Sequence, residues 1–146
     1  MSPRRDANAG GAHASAQDVW ILICDVVFAN VRRREASEAL GLSFGRIRAI
    51  RRLARGPMSM GELAAALTIE APNATVVVDD LEARGLARRV PHASDRRAKV
   101  VELTREGQRA AARADAILGT PPAALNDLAD EDLATLQRIL GGVKGA

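Results

Sequence analysis

Between Ser59 and Gly85 the chain is punctuated so closely that only two short helices and a tight turn fit. Ser59-Met60-Gly61-Glu62 has the form of a capping box. The serine hydroxyl takes a free backbone N–H, and the glutamate reaches back to the N–H of the cap residue. The helix it opens, GELAAAL, ends near Leu67, because Thr68-Ile69-Glu70-Ala71 offers a turn before Pro72. Proline suits the first helical position, where its fixed φ is already helical and its missing N–H costs nothing. A second helix runs from there to Arg84, and Gly85 stops it as a left-handed cap. Thr75-Val76-Val77-Val78 has strand propensity. The spacing of Ala74, Val77, Val78 and Leu81 between two capped ends is that of a helix.

After Gly85 the period changes. LARRVP (86–91) and AKVVEL (98–103) read as strands joined by HASDRR, a β-hairpin with a basic tip. Thr104 caps a long helix to about Leu118, Pro121-Pro122 breaks it, and a last helix carries Leu133, Leu136, Ile139 and Leu140. Upstream, Ser43 caps a helix to about Arg55, with Phe44, Ile47, Ile50, Leu53 and Ala54 inward and Arg48, Arg52 and Arg55 outward. From Gln17 to about Arg34 a first helix places Trp20, Ile23, Cys24, Val27, Phe28 and Val31 on one face, while Val19, Ile21, Leu22 and Val26 make a second apolar side. A helix apolar on most of its circumference needs partners on several sides, and a second subunit is a natural one. Residues 1–16 are small and Gly-rich, the composition of a disordered arm. The fold class is mainly α with a small β-hairpin: short helix, tight turn, second helix and hairpin are the parts of a winged helix-turn-helix.

The composition removes other classes. At 146 residues, 47% apolar and 27% charged, the chain is long enough to bury a core and is not a disordered protein. One cysteine permits no internal disulfide, which suits a reducing cytoplasm. Two histidines and no tyrosine leave few parts for catalysis or zinc, so no enzyme, metal site or cofactor is expected. The most apolar run, Val19 to Val31, is interrupted by Asp25 and Asn30 and is too short for a bilayer. Charge is distributed in blocks: residues 31–56 and 84–113 are strongly basic, while residues 57–83 hold five acidic side chains and no Lys or Arg. Two basic blocks around an acidic one fit either solvated helix faces or a surface that meets an anionic polymer such as DNA.

GELAAALTI, VDDLEARGLARR (78–89) and SDRRAKVVELTREG (94–107) resemble the MarR family of bacterial transcriptional regulators. An Asp-Arg-Arg tip followed at fixed spacing by Leu103-Thr104 and Gly107 is the most specific part, and LADEDLATLQRIL (128–140) resembles the family's closing dimerisation helix. The resemblance implies one domain over residues 17–146: dimerisation helices at 17–34 and 105–146, and a winged helix-turn-helix at 43–104 with its wing at 86–103. It further implies a cytoplasmic homodimer on double-stranded DNA, a repressor on a pseudo-palindromic operator that a small apolar or aromatic effector relieves.

In such a motif the second helix lies in the major groove and the wing reaches the backbone or minor groove. The inward stripe leaves Pro72, Val76, Asp79 and Ala83 outward, with Asn73 and Thr75 beside them. Asn73 has the groups to read adenine, Thr75 to reach a base or phosphate, and Val76 to pack on a thymine methyl; the plain alternative is ordinary polar first-turn residues. Members of the family commonly carry basic residues near Val76 and Asp80, and this helix has none. Most of the affinity must then come from Arg88, Arg89, Arg96, Arg97 and Lys99, with the helix after Ser43 and the N-terminal arm as further sources, and with one of Arg88 and Arg89 facing phosphate because neighbours alternate along a strand. By the resemblance Arg97 enters the minor groove with Asp95 orienting it. Trp20, Cys24, Phe28, Phe44 and Ile47 are the candidate effector lining, against the simpler reading of plain core. Two further readings stay open: a winged-helix protein-interaction module, which the acidic block favours, and a redox sensor at Cys24, against which Asp25 and an apolar setting argue.

Overall fold

A computed structural model describes residues 14–29 and 32–145, in two compact units, 1–31 and 32–146, taken separately below. The expected arm at 1–16 lies almost wholly outside the described residues.

In the first unit, α1 spans Ala16–Ala29. Ser15 and Asp18 cap it reciprocally: the Asp18 N–H donates to Ser15 Oγ at 3.1 Å, and the Ser15 N–H donates back to Asp18 Oδ2 at 3.1 Å. Those bonds hold the Asp18 carboxyl below its ordinary range, the Ser15 hydroxyl contributing most. Val19, Trp20, Ile21, Leu22, Val26, Val27 and Phe28 are exposed, and Ile23 and Cys24 are half-buried.

The second unit runs α2 (Arg32–Leu40), α3 (Phe44–Leu53), α4 (Met60–Leu67), α5 (Ala71–Ala83), β1 (Ala87–Pro91), β2 (Lys99–Leu103), α6 (Arg105–Leu118), α7 (Ala123–Asn126) and α8 (Asp130–Lys144). Arg32 to Arg34, expected at the end of the first helix, instead open α2. That helix is held by polar pairing, Arg34 to Glu38 at 2.9 Å and Arg32 to Glu35 at 2.6 Å, and buries only Ala36. Gly41, at φ +63, ends it. Ser43 does occupy the N-cap of α3, but its hydroxyl caps no backbone N–H and accepts from Arg46 Nη1 at 3.0 Å instead. The helix also stops at Leu53 rather than Arg55.

Capping chemistry fixes the next elements as the residues dictate. Ser59 N–H donates to Glu62 Oε2 at 2.7 Å and Glu62 N–H donates to Ser59 Oγ at 3.2 Å, closing the capping box and holding the Glu62 carboxyl low, the Ser59 backbone bond contributing most. Thr68 closes α4 in the left-handed conformation at φ 57, and α5 starts with Pro72 in its first turn. Gly85, at φ +71, terminates the α5 segment.

Helix α3 lies at the centre of this unit, packed on α2, α4, α5, α6 and β2. Ile47, Ile50, Leu53, Leu63, Val78, Leu81 and Val101 are its fully buried large side chains. The hairpin is antiparallel with Arg88 opposite Glu102 and Arg89 opposite Val101. Its second strand is bridged on the far edge by Met58, whose N–H donates to the Val101 carbonyl at 3.0 Å and whose carbonyl accepts from Val101 at 2.7 Å. This satisfies backbone groups that would otherwise form an open edge.

Thr104 ties the hairpin to α6. Its hydroxyl donates to the Gly85 carbonyl at 2.6 Å and accepts from Gly107 N–H at 3.1 Å, while its own N–H donates to the Leu86 carbonyl at 3.0 Å. Gly107 is buried against the same carbonyl; a Cβ there would stand 1.9 Å from Leu86 O. The Leu103-Thr104…Gly107 spacing is thus a joint between the hairpin and the helix that follows. At the end of the unit, α8 buries none of its side chains, and Leu133, Leu136, Ile139, Leu140 and Val143 form an exposed apolar stripe.

Candidate nucleic-acid interface

Burial of Ala74, Val78 and Leu81 fixes the rotation of α5. Pro72, Asn73, Thr75, Val76, Asp79 and Ala83 are consequently exposed. Val76, an apolar residue, keeps 59% of its surface open. Thr75 Oγ1 donates back to the Ala71 carbonyl at 3.2 Å, so its hydroxyl presents lone pairs outward rather than a donor.

The acidic residues of α5 are each met by arginine. Asp80 accepts from Arg46 Nε at 2.5 Å and from Arg84 Nε at 2.8 Å, and Arg84 Nη1 continues to the Gly41 carbonyl at 3.1 Å. Arg46 chiefly, then Arg84, holds the Asp80 carboxyl below its ordinary range. Arg89, on β1, clasps the other two. Its backbone N–H donates to Glu82 Oε1 at 2.8 Å, its Nη1 to Glu82 Oε2, and its Nη2 to Asp79 Oδ1 at 2.7 Å. The Asp79 hydrogen bond is the main reason its guanidinium pKa is raised above the ordinary value.

Arg88 faces the other side of β1, where Glu102 pairs with its Nη2 at 2.6 Å. In the turn, Asp95 Oδ1 accepts the Arg97 backbone N–H at 3.0 Å, so Asp95 shapes the loop rather than holding the Arg97 guanidinium. His92 Nδ1 lies 3.1 Å from Ser94 N, a turn contact. Arg96, Arg97 and Lys99 are exposed and make no side-chain hydrogen bond or ion pair among the described residues. The hairpin therefore presents three uncommitted cations, while each carboxylate of α5 is paired with an arginine.

Of the residues proposed for an effector, Trp20, Cys24 and Phe28 belong to the first unit. Ile47, in the second, has no exposed surface and is core; Phe44 is half-buried with the Arg33 guanidinium 4.4 Å from its ring centroid. The sequence reading missed a recess of about 330 Å³ lined by Arg48, Arg51, Arg52, Ala54, Arg55 and Asp115. Arg51 bonds Asp115 at 2.5 Å and Arg48 Nη2 bonds the Leu67 carbonyl at 3.2 Å, while the side chains of Arg52 and Arg55 make no hydrogen bond or ion pair among the described residues. Spacing four on α3 displays the arginines, but only the fold brings Asp115 to their side. Arg46 was missed for the same reason, whereas the Asp80–Arg84 pair is legible at i, i+4. Among the described residues no three His, Cys, Asp or Glu side chains are gathered as metal ligands, and no helix is long and apolar enough to cross a membrane.

Residues 40–98 match a family model described as the MarR family. Among solved structures, RV1404 from Mycobacterium tuberculosis superposes with TM-score 0.75 at 20% identity, covering 90% of this chain and 94% of that one. MarR from E. coli, in its apo form, gives TM-score 0.69 at 21% identity, over 86% of this chain and 96% of the other. The transcriptional regulator BldR from Sulfolobus solfataricus gives TM-score 0.58 at 26% identity, over 88% and 99%. No curated protein sequence matches the chain.

Proposed function

With residues 40–98 matching a model of the MarR family and the fold similar to that of MarR from E. coli, we propose that this chain is a cytoplasmic, homodimeric, non-enzymatic DNA-binding repressor. It reads a pseudo-palindromic operator and releases it when a small ligand binds. The observation that carries the reading is that α5 exposes Pro72, Asn73, Thr75 and Val76 while the hairpin packed on α5 through β1 exposes the uncommitted Arg96, Arg97 and Lys99. Base edges are met by short polar and methyl-bearing groups, and phosphates by wing cations. Arg88 and Arg89 are not free for phosphate contacts, because Glu102, Asp79 and Glu82 already hold them.

The rival reading, a protein-interaction module built on the acidic block, has less acidic surface to use than the sequence suggests. Asp79, Asp80 and Glu82 are paired with arginine and Glu62 is spent in its capping box, leaving Glu70 exposed without a side-chain partner among the described residues. The exposed apolar faces of α1 and α8 support a dimer. The arginine-lined recess favours an effector bearing an acidic group over a purely apolar one.

Fluorescence anisotropy on the DNA upstream of the chain's own gene, against a scrambled duplex, tests this. Preference for the upstream DNA by about a thousandfold or more is the range of specific regulators. Equal, weak binding to both removes the sequence-specific reading.

A further inference from the structure

Asp79 stands apart from the other acids of α5. Asp80 and Glu82 keep 29% and 32% of their side chains open, whereas Asp79 keeps 62%. It lies on the outward stripe with Pro72, Val76 and Ala83, where an unpaired carboxylate would be repelled by phosphates. Arg89 offsets part of that repulsion through Oδ1 alone; Oδ2 makes no bond among the described residues. A carboxylate is an acceptor with several lone pairs, so Asp79 is screened by Arg89 and still able to take a hydrogen bond from outside. Arg89 is itself held from below by Glu82 through both its backbone and its guanidinium, so the Asp79 carboxylate is fixed in place.

In the major groove only cytosine N4 and adenine N6 donate, and adenine sets an N7 acceptor beside its donor. A carboxylate is therefore repelled by guanine and thymine edges, compromised at adenine, and best satisfied by cytosine. We propose that Asp79, positioned by Arg89, is the specificity-determining residue by which α5 selects a cytosine in each half-site and discriminates against non-specific DNA. This rests on the DNA-binding reading above. It assigns a base-reading role to a residue that charge alone would place away from DNA.

The test is selection from a random-sequence duplex library by the full-length protein and its variants, with anisotropy on the selected site and on a mixed-sequence duplex. The wild type should enrich one cytosine column per half-site. Asp79→Ala should make that column degenerate and weaken the selected site about tenfold. The same variant should bind the mixed-sequence duplex several-fold tighter, because a negative charge facing phosphate is lost while Glu82 still holds Arg89. Opposite signs on the two probes are the signature, since a merely structural ion pair would weaken both. Asp79→Asn should move the column toward adenine, which an amide pairs with at N6 and N7. Glu82→Gln, which loosens the same arginine from the inward side, should keep the cytosine. An enriched motif without the cytosine column, or one that Asp79→Ala leaves intact, overturns the inference and spares the DNA-binding reading. A wild-type selection that enriches nothing overturns both.

Discussion

Replacing Gly107 by alanine should destabilise the fold, although alanine is the better helix former. The new methyl would lie 1.9 Å from the Leu86 carbonyl oxygen, 3.0 Å from its carbon and 3.1 Å from Leu103 Cδ2. Relief requires backbone to move by about 1 Å or more, in a region as tightly packed as a protein interior. Overpacking of that kind costs about 1–3 kcal/mol. The displaced carbonyl also accepts from Thr104 N–H, and weakening that bond adds about 1 kcal/mol. Helix propensity returns about 1 kcal/mol. The net expectation is a loss of about 1–3 kcal/mol. Gly61→Ala is the matched control, a helical glycine with nothing within 4 Å of the added methyl, and should lie between neutral and about 1 kcal/mol stabilising. Urea denaturation at one fixed protein concentration, followed by circular dichroism, reads both variants, with unchanged m-values required for the comparison. A Gly107→Ala protein as stable as the wild type would refute the claim that the hairpin is seated by this close approach.

Three other expectations follow from the same geometry. Arg97→Ala should cost about 1–3 kcal/mol of operator affinity and lower the salt slope by about one, measured by anisotropy across salt concentrations; an unchanged slope removes Arg97 from the phosphate contacts. Because Asp80 has its folded pKa lowered, first by Arg46 and then by Arg84, its contribution to stability is present above its unfolded pKa of about 3.9 and is lost as pH falls through the folded value. The stability difference between the wild type and Asp80→Asn should therefore be constant from about pH 5 to 7 and shrink below about pH 4; a difference that grows with acid contradicts the pairing. Finally, Leu136→Asp on the exposed stripe of α8 should shift the chain from dimer to monomer in sedimentation, and a dimer that tolerates it places the interface elsewhere.

What could be read from the sequence is what acts within about four residues. The capping pair Ser59–Glu62, the left-handed stop at Gly85, the threonine before α6 and the inward stripe Ala74/Val77/Val78/Leu81, of which Val77 is only half-buried, all announce themselves at short spacing, and they place α5 and the hairpin. Helix α2 escaped because its signal is not apolar. RRREASEAL buries one alanine and is supported by Arg–Glu pairs, which look the same as a solvated charge run until the backbone is seen. The site was half legible for a related reason. Exposure of Asn73, Thr75 and Val76 follows from helical rotation, but the commitments of the arginines do not. Arg89 reaches seven and ten residues back, Arg46 thirty-four forward and Arg51 sixty-four, separations that no periodicity encodes.

Those commitments change what the charge pattern means. Counted along the chain, a reading helix with five acids in its block and no base is a poor partner for DNA, and the basic hairpin beside it looks like compensation by bulk attraction. In the fold, attraction is divided more finely. Arg46, Arg84 and Arg89 are consumed in cancelling Asp79, Asp80 and Glu82, so the exposed face of α5 is close to neutral and the long-range field falls on the wing tip. A neutral reading helix contributes little to binding an arbitrary duplex, because non-specific affinity is almost wholly electrostatic. It can still discriminate, because base-edge hydrogen bonds and methyl contacts do not depend on net charge. Under the proposed DNA-binding function, the same pairing that lowers total affinity raises the share of it that depends on sequence, which is the balance a regulator needs when correct sites are outnumbered by incorrect ones.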